Sequence, residues 1–232
     1  MPDDTKQYRW LLPIASLFVA TLITSNIVAV KIVVILGLVL PAAVILFPVT
    51  YIIGDVLTEV YGYARARQVI WTGFFCNLVA VIAIWIAGLL PSAPFWNANV
   101  YNLPSESETA YRAILGFTPR LLIASFIAYL AGEFLNSIVL ARLKVKTRGR
   151  FLWVRTITST IIGQGADSAI FISVAFISVL PGGALATTII SQWLFKVGYE
   201  ALATPLTYLV VNALKRAEGI DYFDRETKFR IV

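Results

Sequence analysis

The chain has 232 residues, of which 59% are hydrophobic and 14% are charged, and its mean hydropathy is +0.80. A soluble domain carries about 25% charged residues, so this composition excludes an ordinary soluble fold and predicts an integral membrane protein. The sequence has no histidine and one cysteine, which argues against a histidine relay, an internal disulfide and the usual zinc or haem sites. We therefore expect neither a metal nor another cofactor.

Six apolar segments are long enough to cross a hydrocarbon core of about 30 Å, which needs about 20 residues of helix. They predict an all-α membrane protein, a bundle of six transmembrane helices that forms one domain over 1–232. The predicted spans are 10–30, 41–61, 69–90, 119–143, 156–180 and 184–214. The β-branched segment 31–40 is too short to span, so it predicts an interfacial turn or a re-entrant piece. The loop 91–118 leaves no room for a separate catalytic domain.

The basic residues are distributed unevenly between the two faces that six spans define. Fifteen of the nineteen Lys and Arg fall on one face, and the other four are Lys31, Arg112, Arg120 and Lys196. The positive-inside rule therefore predicts that both termini are cytoplasmic. This pattern explains the net charge of +6 without a nucleic-acid partner, and it predicts contact with anionic membrane lipids.

Ionisable side chains occur inside the predicted spans, where each costs about 2.5 to 3.5 kcal/mol on insertion scales. The spans contain six of them: Asp55, Glu59, Glu133, Asp167, Lys196 and Glu200. Helical spacing aligns most of them with amides, hydroxyls or aromatic rings, so these stripes should face the bundle interior or a water-filled cavity. Glu59 lies nearer the cytoplasmic end, where it is either solvated or forms a gate with Arg65 or Arg67.

The excess of carboxylates predicts a binding cavity. Five carboxylates face one lysine, so the excess must be protonated, hydrated or paired with a ligand. The alternative is polar contacts between helices, with Lys196 paired to Glu200. We expect these residues to bind the substrate: Asn26, Tyr51, Asp55, Glu133, Asn136, Gln164, Asp167, Phe171, Lys196, Tyr199 and Glu200. The chain has no P-loop motif and no nucleophile with a histidine base, so we do not expect an enzyme.

Several motifs resemble those of the queuosine precursor transporter family, formerly described as a vitamin uptake transporter family. They are SNIVAVK at 25–31, FPVTYIIGDVLTEVYGY at 47–63 and GEFLNS at 132–137, with further matches in 147–168 and 196–208. The resemblance extends from about residue 20 to 224. It implies a multi-pass carrier of the bacterial inner membrane that imports 7-cyano-7-deazaguanine or 7-aminomethyl-7-deazaguanine, precursors for a modified nucleoside of tRNA.

The acidic stripes suit such a purine-like substrate. A guanine-like edge offers adjacent N–H donors to one carboxylate and a carbonyl to an amide. Its flat ring can stack on an aromatic side chain such as Tyr51, Phe134, Phe171 or Tyr199. A second carboxylate could neutralise an aminomethyl group. The alternative function is a substrate-capture subunit of a multi-subunit vitamin or nucleobase importer. Ala83 and Ala87 lie four residues apart in the third span and would also permit close contact within a homodimer.

Overall fold

The computed structural model of this chain describes residues 8–35, 38–97, 102–116, 119–178 and 181–231. The described residues form seven α-helices: α1 Leu11–Val28, α2 Phe47–Tyr61, α3 Tyr63–Ala87, α4 Pro104–Leu115, α5 Pro119–Lys146, α6 Leu152–Phe176 and α7 Gly182–Glu218. Two short strands, β1 Ile32–Ile35 and β2 Leu38–Pro41, and a 3₁₀ turn at Ala42–Ile45 lie between α1 and α2. The regular structure of the described residues is therefore helical apart from one hairpin.

Four of the described helices are long and apolar enough to cross a membrane: Leu11–Val28, Tyr63–Ala87, Leu122–Lys146 and Leu152–Phe176. Helix α2 has 15 residues and a length of about 22 Å, while α7 has 37 residues and a length of about 55 Å. Crossing by these two helices, and hence the six-span bundle, stays a prediction. The predicted end of the fifth span, residue 180, lies outside the described residues.

The outer surface of the bundle is apolar. Large side chains such as Val79, Trp85 and Leu202 are exposed on the helices. A water-soluble protein rarely exposes an apolar surface of this extent, whereas lipid tails accommodate it. The exposed residues therefore agree with a multi-pass membrane protein.

The segment after α1 is an antiparallel hairpin, in which Ile32 pairs with Pro41 and Val33 with Leu40. β-Branched residues favour the extended backbone, which explains why this run pairs as strands. Pro41 stands at the end of its strand, where the missing N–H does least harm. The all-α prediction did not include this hairpin, nor did it place helix α4 in the loop 91–118.

Helices α5 and α6 approach each other closely through two glycines. A Cβ atom at Gly163 would lie 2.8 Å from both the Asn136 Cβ and the Gly132 carbonyl oxygen. A Cβ at Gly132 would lie 2.9 Å from the Asp167 Cβ. Small residues at a helix interface let the two backbones come close. This contact brings the polar stripes of α5 and α6 face to face.

Residues 219–231, here called the C-terminal strap, fold back over one end of the bundle. The Tyr63 backbone N–H donates to Asp224 Oδ2 at 3.0 Å, and the Tyr63 hydroxyl donates to the Arg230 carbonyl at 2.8 Å. Gly62 has a φ of +83°, and a Cβ there would lie 2.2 Å from the Tyr222 ring. The α2–α3 junction thus needs glycine both for its backbone and for its contact with the strap.

The start of α1 lies at the same end as the strap. The Trp10 backbone N–H donates to Glu218 Oε1 at 2.6 Å, and the Tyr61 hydroxyl donates to the same oxygen at 3.1 Å. The first turn of α1, the end of α2 and the end of α7 are therefore neighbours. This arrangement puts the beginning and the end of the described chain on one side. That this side faces the cytoplasm stays a prediction. Lys6, one of the basic residues near the N-terminus, lies outside the described residues.

Candidate functional site

Helix α2 contributes side chains to two groups of charged and polar residues. The first, here called the ion cluster, lies beneath the strap and consists of Glu59, Lys144, Arg155, Lys215 and Asp221. The second, here called the acidic site, lies deeper in the bundle and consists of Tyr51, Asp55, Glu133, Asn136, Gln164, Asp167, Lys196 and Glu200. Helix α2 contributes Glu59 to the former and Tyr51 and Asp55 to the latter. The two groups differ in how well their charges are matched.

The Glu59 carboxylate is the centre of the ion cluster, and 0% of its surface is exposed. Arg155 donates to both of its oxygens, with Nη2 at 2.7 Å from Oε1 and Nε at 2.8 Å from Oε2. Lys215 Nζ lies 2.6 Å from Oε1. A bidentate arginine together with a lysine provides strong, charge-assisted hydrogen bonds. The carboxylate is therefore saturated by protein cations.

Lys144 and Asp221 extend the ion cluster to the strap. Lys144 Nζ donates to Asp221 Oδ1 and to the Tyr222 carbonyl, each at 2.6 Å. Lys215 Nζ lies 2.9 Å from the same Asp221 oxygen. Partial burial raises the pKa of Asp221, but the hydrogen bonds from Lys144 and Lys215 outweigh it and hold that pKa below its ordinary value. The cluster thus ties α2, α5, α6 and α7 to the strap.

The expectation that Glu59 is solvated or paired with Arg65 or Arg67 is wrong. Arg65 donates to Gln68 at 3.2 Å, and Arg67 donates to the Arg230 carbonyl at 3.2 Å. Glu59 instead pairs with Arg155 on α6 and Lys215 on α7. Sequence reasoning missed Arg155 because it counted that residue among the loop charges. Its position one residue before the predicted span 156–180 was the available signal that it is buried.

Asp55, Asn136 and Glu200 form one buried part of the acidic site. Asn136 Nδ2 donates to Asp55 Oδ1 at 2.7 Å, which joins α2 to α5. No described residue donates a hydrogen bond to Asp55 Oδ2, to Asn136 Oδ1 or to either carboxylate oxygen of Glu200. Asp55 and Glu200 each expose only 1% of their surface. These oxygens are therefore acceptors without a protein donor in the described part of the chain.

Lys196 and Asp167 form an ion pair between α7 and α6 in the second part of the site. Lys196 Nζ lies 6.0 Å from the centre of the Tyr51 ring, a cation–π distance. The Tyr51 hydroxyl forms a hydrogen bond with Gln164 and interacts electrostatically with the carboxylates of Asp167, Glu133 and Glu200. The alternative pairing of Lys196 with Glu200 is not formed, since Glu200 accepts no hydrogen bond from the residues described.

Glu133 completes the site from α5. Its Oε2 atom would lie 3.2 Å from a Cβ at Gly54, so the missing side chain on α2 makes room for this carboxylate. Glu133 also interacts electrostatically with Asp167 and Lys196. Four helices, α2, α5, α6 and α7, therefore contribute charged or polar groups to one place.

Three of the predicted site residues have other neighbours. Asn26 on α1 donates to Asn77 Oδ1 on α3 at 2.9 Å. The Phe171 ring packs against Phe176 at a centroid distance of 6.4 Å, and Tyr199 is 38% exposed. Eight of the eleven predicted residues thus come together in the acidic site. Their binding role stays a prediction, as does that of the other three.

The two parts of the acidic site offer different chemistry. The Asp167–Lys196 part is more accessible, with side-chain exposures of 20% and 11%, and it combines carboxylates, an ammonium, an amide and an aromatic ring. The Asp55–Glu200 part presents oxygen acceptors, with an amide as the only donor among the described groups. The first part suits a flat polar molecule, and the second suits a proton or another small cation.

Comparisons with known proteins agree with a membrane carrier. Residues 41–210 match the sequence profile of the family described as "Putative vitamin uptake transporter". A Bacillus subtilis (strain 168) protein named "Probable queuosine precursor transporter" is 28% identical over 197 residues, which are 84% of this chain and 82% of that protein. A Haemophilus influenzae protein with the same name is 31% identical over 131 residues, which are 56% of this chain and 49% of that protein. No solved structure matches this chain.

Proposed function

The chain belongs to the family described as "Putative vitamin uptake transporter", and we propose that it imports a 7-deazaguanine queuosine precursor across the cytoplasmic membrane of a bacterium. The names of the two relatives support this substrate class. In the proposal, the base is 7-cyano-7-deazaguanine or 7-aminomethyl-7-deazaguanine. The chain acts as a carrier on its own.

The Asp167–Lys196 part of the acidic site is the observation that carries the proposal. A carboxylate such as Glu133 or Asp167 can accept both adjacent N–H groups of a guanine-like edge, while Lys196 can donate to the ring carbonyl. The Tyr51 ring beside Lys196 offers a flat surface on which a base can stack. The carbonyl oxygen of Gln164 accepts no hydrogen bond from the described residues, so it is a further acceptor for a substrate N–H.

The proposal assigns the strap to the cytoplasmic side, in line with the positive-inside rule. The ion cluster then lies between the acidic site and the cytoplasm, since Glu59 follows Asp55 by four residues, about one helical turn. Carriers expose their site to one side at a time. Release of the base into the cytoplasm therefore requires the contacts of Glu59 with Arg155 and Lys215 to rearrange.

Labelling of single cysteines tests this orientation. In a Cys76→Ser background, Lys146→Cys and Thr109→Cys place a thiol at exposed positions near opposite ends of the bundle. An impermeant reagent added to intact cells should label the cysteine at position 109 and not the one at position 146. Labelling at position 146 from outside would reverse the orientation.

Transport by the purified chain in liposomes tests the function. Labelled 7-cyano-7-deazaguanine should enter without any energising subunit, and adenine should compete at least about 10²-fold less well than guanine analogues, because its edge has a different order of donors and acceptors.

Asp167→Asn and Glu133→Gln should abolish uptake, whereas Glu226→Gln, a glutamate-to-glutamine change on the exposed strap surface, should not. Equal competition by adenine would contradict base recognition. Uptake that requires a separate energising complex would favour the capture-subunit alternative.

A further inference from the structure

Four buried oxygen atoms on three helices lie in the Asp55–Glu200 part of the acidic site. They belong to Asp55 on α2, Asn136 on α5 and Glu200 on α7, and none of them accepts a hydrogen bond from the residues described. Each of the three side chains is at least nine-tenths buried. A buried acceptor without a donor costs about 1 to 3 kcal/mol, and more if it is charged. The fold therefore maintains a costly arrangement at this place.

The charges that act on Asp55 are negative. Asp55 interacts electrostatically with Glu59 on its own helix, with Glu133 on α5 and with Glu200 on α7. The cations that the structure describes nearby are engaged elsewhere, since Lys196 pairs with Asp167, and Arg155 and Lys215 pair with Glu59. An uncompensated buried carboxylate costs several kcal/mol, and two of them repel each other. A cation bound between Asp55 and Glu200 would remove this cost.

We propose that Asp55, Asn136 and Glu200 bind a monovalent coupling cation, a proton or a sodium ion, separately from the base. The groups present only oxygen acceptors, which are the preferred ligands of hard cations. The described residues contain no group of three or more acidic, histidine or cysteine side chains suited to a metal ion, so the proposed site has only two carboxylates and one amide oxygen for its cation. The driving role of this cation rests on the proposed import function.

Asn136 orients the cation site. Its amide nitrogen donates to Asp55 Oδ1 at 2.7 Å, so Asp55 Oδ2 and the Asn136 carbonyl oxygen are both left for the cation. Gly163 allows Asn136 to pack closely against α6, because a Cβ at that glycine would lie 2.8 Å from the Asn136 Cβ. Glu200 approaches from α7, the helix that also contributes Lys196 to the base-binding part. A cation bound at Glu200 can therefore influence the base through one helix.

Thermal unfolding of the purified protein tests the cation site without any substrate. Sodium is exchanged for choline at constant ionic strength, and the pH is varied between about 5.5 and 8.5. A sodium site predicts that the melting temperature rises with sodium, since a ligand of the folded state stabilises it. A proton site predicts that it rises as the pH falls, because the folded chain holds a proton that the unfolded chain releases.

Two variants decide whether these effects arise at the proposed site. Glu200→Gln should remove the dependence on sodium or on pH, and Asp55→Asn should do the same if Glu200→Gln does not fold. Glu226→Gln, on the exposed strap, should retain the dependence of the wild type. A wild type without either dependence, or Glu200→Gln and Asp55→Asn variants with the full wild-type dependence, would overturn the proposal.

Transport measurements distinguish a failure of the cation proposal from a failure of the import proposal. Exchange of labelled base between equal concentrations on both sides tests import alone. An inward proton or sodium gradient should raise accumulation about tenfold for each tenfold difference in cation concentration, if one cation accompanies each base. The ratio of accumulation with and without the gradient should fall to about one in Glu200→Gln. Exchange with no response to either gradient contradicts the coupling cation and leaves import intact, whereas no exchange contradicts import and leaves the thermal test to decide on the cation site.

Discussion

Asp55 and Glu59 are four residues apart on α2, yet their carboxylates have opposite surroundings. Glu59 accepts hydrogen bonds from Arg155 and Lys215, and Lys144 lies 3.5 Å away. Asp55 accepts one hydrogen bond, from the neutral Asn136, and its Oδ2 accepts none from the described chain. The same type of charge is thus matched by fixed protein cations at one turn of the helix and left unmatched at the turn before.

This difference separates a structural role from a binding role. A buried ion network is costly to break, because removal of one partner leaves the others buried and uncompensated. A buried carboxylate without a cation is costly to keep, and it is retained where a ligand completes it. We therefore expect changes in the ion cluster to affect folding first, and changes in the acidic site to affect transport first.

The largest effect is expected for Arg155→Met. This change removes the bidentate partner of Glu59 and should lower the free energy of unfolding by about 3 to 5 kcal/mol. Arg150→Met, the same change on an exposed side chain in the preceding loop, should cost less than about 0.5 kcal/mol. Denaturant unfolding of the two variants in detergent measures the difference. Equal free energies of unfolding for the two variants would mean that the ion cluster does not stabilise the end of the bundle beneath the strap.

Gly163→Ala should have the next largest effect, because its Cβ would overlap both Asn136 and the Gly132 carbonyl. Separation of α5 from α6 should cost about 1 to 3 kcal/mol and displace Asn136 from Asp55. Gly198→Ala on α7 is the matched control, since a Cβ there meets no atom within 4 Å. It should be neutral or slightly stabilising. The melting temperature and the uptake rate should both be lower in Gly163→Ala than in the wild type. In Gly198→Ala neither should fall.

A smaller effect is expected at the strap. Asp224 accepts a hydrogen bond from the Tyr63 N–H in the first turn of α3, at 3.0 Å, and thus caps that helix from a distant part of the chain. Asp224→Ala should lower stability by about 1 kcal/mol, the usual cost of a lost cap. Glu226→Ala, two residues further along and exposed, should have little effect. Equal melting temperatures for Asp224→Ala and the wild type would show that the strap does not stabilise α3.

The smallest effect on stability is expected from the protonation of Asp221 at low pH. Its pKa is lowered in the folded protein from an ordinary value of 3.8, so its contribution to stability is complete above that value and is lost as the pH falls through the lower, folded pKa. Because the side chain is 44% exposed, the contribution should stay below about 1 kcal/mol. The stability difference between the wild type and Asp221→Asn should therefore be present at pH 6 and shrink below about pH 4. A difference that grows on acidification would contradict the assigned pairing with Lys144 and Lys215.

The sequence was sufficient to locate most helices and most of the acidic site. Hydropathy identified the long helices, for example α1 at Leu11–Val28 within the predicted 10–30. The i, i+4 spacing of Tyr51 and Asp55 on α2, and the i, i+3 spacing of Glu133 and Asn136 on α5, were enough to predict that these residues share an interior face, because helical periodicity is local information. The hairpin of β1 and β2 was missed because a short β-branched run does not by itself specify a partner strand.

Long-range pairing explains what the sequence did not predict. Arg155 and Lys215 lie 96 and 156 residues from Glu59, and no local pattern links them. The expected pairing of Lys196 with Glu200 was a local i, i+4 choice, whereas the structure pairs Lys196 with Asp167 on the neighbouring helix. Such choices depend on how α6 and α7 pack, which the spacing within one helix does not contain.

Parallel measurement of Asp55→Asn and Glu59→Gln tests the central distinction most directly. Both variants replace a buried carboxylate by its amide on the same helix, and both are assayed for melting temperature and for uptake of labelled 7-cyano-7-deazaguanine. We expect Asp55→Asn to fold with a melting temperature close to that of the wild type and to lose uptake by at least about tenfold, equivalent to about 1.4 kcal/mol. We expect Glu59→Gln to lose stability, because Arg155 would remain buried without its carboxylate partner. A stable Glu59→Gln variant beside an unfolded Asp55→Asn variant, or wild-type uptake by Asp55→Asn, would contradict the account.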